Sequence, residues 1–315
     1  MRPVKISSGH THVPIEIFPA FEEQILASGT AFLYRDNSST FLITNWHNVT
    51  GRRPDTFEAL STKTGAVPDR LGIRFQVSIS APDLSENQTV RRWDARWLDL
   101  YLDAERQHPA WFEHPEYGPG VDLVAIEVGD AFSETAVIPA NDSSLGQRPG
   151  GVGAGTDAFV IGYPVRLYGG GHFPIWKRAS IASEPDLDVD RLPKILIDTA
   201  TRKGMSGSPV FAQVVGLVAP EGADLANPAE LGRAWFGSAH SFLGIYSGAF
   251  GREPFEAQLG IVWKERAIQE TIASRHAGKS SFALVKRETP LVRAYSLYDW
   301  DDWPLPTTVT KPRTD

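Results

Sequence analysis

The sequence predicts an all-β fold, and three observations carry that expectation. Glycine and proline, 28 and 23 in number in a chain of 315 residues, break it roughly every 8 to 15 residues into short segments rich in Val, Ile, Phe and Trp, the spacing of a sandwich or barrel. Ile73, Phe75, Val77 and Ile79 alternate with Arg74, Gln76, Ser78 and Ser80, the pattern of a strand with one wet face. Helical periodicity is confined to Lys264 to Arg275, where Ile268 and Ile272 fall four residues apart.

Taken in chain order, the elements are short. Thr30 to Tyr34 and Thr40 to Val49 flank the turn Asp36-Asn37-Ser38-Ser39 and read as a hairpin. Further strands are expected at Val121 to Val128, Ala158 to Gly162, Ile195 to Asp198, Pro209 to Ala219, Phe242 to Tyr246 and Gln258 to Trp263. The polar, glycine-rich stretch 139–155 reads as a linker between two parts of similar strand content, 1–138 and 156–277. Beyond it, 278–315 reads as an irregular C-terminal extension containing Tyr298-Asp299-Trp300-Asp301-Asp302-Trp303.

Composition excludes several classes. With 42% hydrophobic and 22% charged residues, the chain is neither disordered nor fibrous. Its net charge of −7 and scattered basic residues argue against a nucleic-acid backbone as partner. No apolar run suits a signal peptide or a membrane span. There is no cysteine, so no disulfide supports the core and a reducing, cytoplasmic setting is the default expectation.

Three segments carry residues suited to chemistry. A strongly apolar strand, Phe41 to Val49, ends around His47; Asp122 opens the apolar run Val121 to Val128; and Ser206 sits between glycines in Gly204-Met205-Ser206-Gly207. A serine hydroxyl is a weak nucleophile that needs a neutral imidazole to take its proton. The imidazole needs a carboxylate on its other nitrogen to fix its tautomer and stabilise the cation. Glycine at 204 lets the amides of Gly204 and Ser206 converge on one developing oxyanion. Each residue alone reads more readily as a strand cap, a core histidine or a loop serine; the three in the order His, Asp, Ser do not.

Gly29 to Tyr34 followed by Ile43 to Val49, then Val121 to Val128, then Lys203 to Phe211, resembles the chymotrypsin-fold serine peptidases, in particular their cysteine-free, trypsin-like bacterial branch. The resemblance implies two antiparallel six-stranded β-barrels, the first carrying His47 and Asp122 and the second Ser206. It implies an acyl-enzyme mechanism with a Gly204/Ser206 oxyanion hole, a protein or peptide substrate, and no metal or cofactor. It further assigns the floor of the primary specificity pocket to Ala200 and Thr201, with a substrate-pairing edge at Gly244, Ile245 and Tyr246. Met205, where zymogens of the family carry an aspartate, excludes activation through a newly cut N-terminus. The long interval between His47 and Asp122 suggests an inserted loop at Trp93 to Gly118.

Two other readings share these residues: a gated or silent barrel acting as an interaction module of a multi-component bacterial system, and an esterase using the same triad. The acidic, aromatic tail suggests a protein partner, and no membrane is implied. His10-Thr11-His12 reads as an N-terminal turn in preference to a zinc site. Gly151, Gly153 and Gly155 precede a strand and not a helix, which removes a dinucleotide fingerprint.

Overall fold

The computed structural model describes residues 6–37, 39–61, 65–79, 90–146, 148–199, 204–223, 227–249 and 258–284. The N-terminal part forms one antiparallel sheet from β1 (Pro14–Phe21), β2 (Gln24–Ile25), β3 (Gly29–Asp36), β4 (Ser39–Thr44), β5 (Arg70–Ile79), β6 (Val90–Asp99), β7 (Trp111–Phe112) and β8 (Val124–Glu127). The order is β6-β5-β1-β3-β4-β8-β7, with β2 paired to β1. A five-residue helix, α1 (Trp46–Thr50), follows β4.

The C-terminal part contains β9 (Asp157–Gly162), β10 (Ile175–Ile181), β11 (Lys194–Asp198), β12 (Pro209–Val218), β13 (Trp235–Ala249) and β14 (Leu259–Lys264), with the short helix α2 (Pro228–Leu231) before β13. These six strands close as β10-β11-β14-β13-β12-β9. The expected six-stranded barrel is thus closed in this half, whereas the N-terminal strands form an eight-stranded sheet whose outermost members are β6 and β7. The C-terminal helix α3 (Glu265–Ser274) starts directly after β14 and buries Ala267, Ile268, Thr271 and Ile272, which is the face its periodicity predicts.

Strand alternation explains how the layers are glued. In β3, Ala31 and Leu33 point into the N-terminal core with Ile15, Ile17, Leu42, Leu71, Ile73 and Phe75. Phe32 and Tyr34, one residue out of phase, enter a second cluster with Phe41, Ile43, Phe211, Phe242, Ile245 and Ile268, which come from both halves of the chain. β3 is therefore buried on both faces, and its continuous apolar run is the sequence trace of that position. A third cluster, including Val160, Ile197, Val210 and Val262, fills the barrel.

Residues Trp93 to Gly118 do not form a single inserted loop. Their first part belongs to β6, paired along its length with β5, and Trp111–Phe112 is β7 against β8.

Candidate active site

His47 is the second residue of α1. The strand expected to run to Val49 stops at Thr44, and buried Asn45 turns the chain into the helix, its Nδ2 donating to the Asp122 carbonyl at 2.6 Å. Trp46, fully buried, anchors the turn: its Nε1 donates to Glu113 Oε1 at 3.0 Å, and its ring stacks on Phe57 at 5.6 Å. The same Glu113 oxygen accepts from Trp111 Nε1 and from the Lys279 amide.

Asp122 reaches His47 twice. Its Oδ1 accepts from the His47 main-chain N–H at 3.0 Å and its Oδ2 lies 2.7 Å from His47 Nδ1. The two side chains are 5% and 16% exposed, respectively. A 3₁₀ turn at Gly118–Gly120 and a tight bond from the Leu123 amide to the Val121 carbonyl place Asp122 just before β8. A third contact was not anticipated from sequence: Ser247 Oγ donates to Asp122 Oδ2 at 2.5 Å. Ser247 is the extra residue of a bulge, since Tyr246 pairs with Val262 and Gly248 with Ile261. The bulge turns this hydroxyl out of the barrel toward the carboxylate.

The serine turn is held from the opposite half. Thr30 N–H donates to the Ser206 carbonyl at 2.9 Å, and Thr30 Oγ1 donates to the Gly204 carbonyl at 2.9 Å while accepting from the Tyr163 amide. Asn48, beside His47, extends Nδ2 to Thr44 Oγ1 and, at 3.4 Å, to the Ser206 carbonyl. His47 and Ser206 therefore share one rim, although no hydrogen bond joins them among the described residues. Gly204 has φ +88°, and a Cβ there would lie 2.4 Å from the Tyr163 carbonyl oxygen. At Gly207, φ +87°, it would lie 1.8 Å from the Thr30 carbonyl oxygen. Only glycine fits either position. Among the described residues, no carbonyl accepts from the Gly204 or Ser206 amide.

The pairing edge requires correction. Gly244, Ile245 and Tyr246 bond to β12 or its flank on one side and to β14 on the other, and Ile245 and Tyr246 are buried. A strand paired on both edges cannot accept another. Beyond Tyr246 the β12 partner ends, while Gly248 and Ala249 still pair with β14, so among the described residues the open edge lies at Ser247–Ala249. Ala200 and Thr201, the expected pocket floor, lie outside the described residues. Their neighbour Thr199 is buried and accepts from Lys177 Nζ at 2.6 Å. Among the described residues there is no cluster of three metal-ligating side chains, and no helix is long and apolar enough to cross a membrane.

Residues 29–219, more than half the chain, match the family model of the trypsin-like peptidase domain. Among solved structures, the serine endoprotease from Yersinia pestis is similar at 14% identity and a TM-score of 0.41, over 86% of this chain and 67% of that one. A thermostable serine protease, AL20, from an extremophilic microorganism is similar at 12% identity and a TM-score of 0.40, over 85% and 98%. No curated protein matches. The chain belongs to the trypsin-like peptidase family and is a serine peptidase of the chymotrypsin fold.

Proposed function

We propose that the protein is a serine endopeptidase in which His47, Asp122 and Ser206 form the catalytic triad. The observation that carries this is the double grip of the Asp122 carboxylate on His47, through its main-chain N–H and Nδ1, on the rim that holds the Gly204–Gly207 turn. With Nδ1 so engaged, Nε2 is the nitrogen left to take the Ser206 proton. Ser206 Oγ attacks the scissile carbonyl, and the developing oxyanion accepts from the Gly204 and Ser206 amides. His47 then protonates the departing amine, and a water activated by the same imidazole hydrolyses the acyl-enzyme. An extended substrate pairs with the free edge at Ser247–Ala249 by main-chain hydrogen bonds. In this reading the segments 1–138 and 156–277 contribute the base pair and the nucleophile, respectively, across the linker 139–155.

Labelling with a fluorophosphonate tests the assignment. The expected adduct maps to Ser206, disappears in Ser206→Ala and forms more slowly in His47→Ala. Label persisting in Ser206→Ala, or an unlabelled folded wild type, overturns it.

A further inference from the structure

A lysine stands in the inward phase of the closed barrel. Ala179 and Ile181 of β10, Ile195 and Ile197 of β11, Tyr246 of β13 and Val262 of β14 all enter one core cluster. Side chains alternate along a strand, so the same phase carried one step further turns Lys177, Thr199 and Gly260 inward at one end. The contacts bear this out. Trp176 and Arg178, on either side of Lys177, leave by the outer face, where Trp176 packs on Phe159 and His10 and Arg178 pairs with Asp157. Lys177 Nζ donates to Thr199 Oγ1 at 2.6 Å. A Cβ on Gly260 would lie 3.1 Å from Thr199 Cγ2 and 2.5 Å from the Tyr246 ring, so these residues form one patch. Lysine is rarely taken into an apolar interior, and this one is half-buried, with its charge held at the end of the barrel.

The serine turn sits on that same end. Met205, next to Ser206, is buried in the cluster that holds Tyr246 and Ile197, and the Gly207 amide donates to the Tyr246 carbonyl at 2.9 Å. Gly260 pairs with Ala249, at the open edge of β13. Given the endopeptidase reading, on which this inference rests, a substrate strand laid on Ser247–Ala249 runs antiparallel to β13, as β12 does. It takes up the line that β12 has left and brings its C-terminal end to Ser206. The side chain just before the scissile bond then faces the barrel end, where the inward phase continues into Tyr246, Thr199 and Lys177. We propose that Lys177 is a specificity-determining residue that selects a carboxylate side chain, glutamate or aspartate, on the acyl side of the scissile bond. The ammonium supplies the charge and Thr199 Oγ1 fixes its direction. A carboxylate there gains a charge-assisted hydrogen bond that neither a carboxamide nor an alkyl group equals.

The test is a set of peptides identical except for Glu, Asp, Gln, Leu or Lys at that residue. They are given to the full-length chain, including the acidic, aromatic stretch 298–303, which lies outside the described residues, while fluorophosphonate titration counts the competent Ser206. Wild type should show a kcat/KM about 10- to 100-fold higher for Glu than for Gln, the size of a hydrogen bond to a charged group, with the Lys peptide poorest. In Lys177→Met the Glu-over-Gln ratio should collapse to about one, and Lys177→Arg should keep part of it. A lysine with a merely structural role would lower all five peptides alike and leave the ratio intact. That result, a wild-type ratio near one, or a preference surviving in Lys177→Met overturns the proposal. If Lys177→Met does not fold, Thr199→Val decides: loss of the hydroxyl that aims Nζ should lower the ratio about threefold or more, and an unchanged ratio overturns the proposal. A wild type that takes the label yet cleaves neither the Glu nor the Asp peptide overturns it too and leaves the triad standing. A folded wild type that takes no label overturns the triad reading and this inference with it.

Discussion

Thr30→Val isolates what the first half contributes to the serine turn. Valine matches threonine in shape but removes the hydroxyl that donates to the Gly204 carbonyl and accepts from the Tyr163 amide. Thr30 is fully buried, so water does not replace either bond. Each orphaned buried group costs about 1–3 kcal/mol, which puts the loss of two at roughly 2–6 kcal/mol. For a chain of this size that corresponds to a fall in Tm of about 3–9 °C. The Gly204 amide should also lose its aim, and misplacing one oxyanion donor reduces kcat by up to about 100- to 1000-fold. Thr30→Ser keeps the hydroxyl and removes one methyl, at about 1 kcal/mol, with kcat close to wild type. Calorimetry and peptide hydrolysis on all three proteins decide. Equal damage from Val and Ser would show that packing, and not the two hydrogen bonds, holds the turn; an undamaged Val variant would refute the reasoning outright.

Other expectations follow from the same contacts. Ser247→Ala removes a hydrogen bond to a carboxylate, worth about 1.5–3 kcal/mol, and should lower kcat about tenfold or more with little change in KM; an unchanged kcat would deny Ser247 a positioning role. Glu113→Ala leaves the Trp46 and Trp111 indoles and the Lys279 amide without their shared acceptor, so denaturant titration should show a loss of about 2–5 kcal/mol, with Glu113→Gln milder because it retains a carbonyl oxygen. Acid should destabilise the protein through His10. Burial first, and then the neighbouring His240, lower its pKa from 6.5 to about 4. The ring also faces Trp176, Phe211 and Ser8. Between these values the unfolded chain binds a proton that the folded chain refuses, so the stability is complete above pH 6.5 and falls as pH drops toward 4. Allowing for partial solvation of the ring, the loss is on the order of 2 kcal/mol. His10→Phe, suited to the aromatic pocket, should flatten that limb of the stability curve; an unaltered limb would place the acid sensitivity elsewhere, for instance at His12, also lowered to about 4 by burial and Arg91.

Legibility in the sequence depended on whether the signal was local. β3, β5, β9, β11, β14 and α3 all announce themselves through apolar periodicity, because their burial follows from their own residues. β1 does not, since Pro14 and Pro19 argue against a strand. It survives because the Pro19 carbonyl points to the Leu26 and Ala27 amides. Its nitrogen faces that same side, away from the β5 ladder, so no ladder bond is forfeited. β13 extends from Trp235 although Gly237, Ser238 and His240 carry little strand signal, because residue-by-residue pairing with β12 imposes it. The end of β4 was misplaced for the opposite reason: Trp46 and Val49 are apolar in either conformation, and a five-residue helix is too short to show a period.

The site divides along the same line. His47, Asp122 and Ser206 each stand in a local motif, and the structure brings their elements to one rim. Ser247 and Thr30 carry no such mark, since a serine acquires its aim from a bulge in β13 and a threonine from register across two halves of the chain. The substrate edge shows how fine this dependence is. At Tyr246 the strand is still bonded through Ser208 and Gly207 on one side and Val262 on the other. One residue later the first partner is gone, and the bulge has turned Ser247 toward Asp122. The same irregularity at which the pairing with β12 ends thus supplies a hydroxyl to the carboxylate behind His47. Under the proposed mechanism, substrate pairing and orientation of the base would therefore be coupled through one residue. Removing the bulge by deleting Ser247 should damage both KM and kcat, whereas Ser247→Ala touches kcat alone.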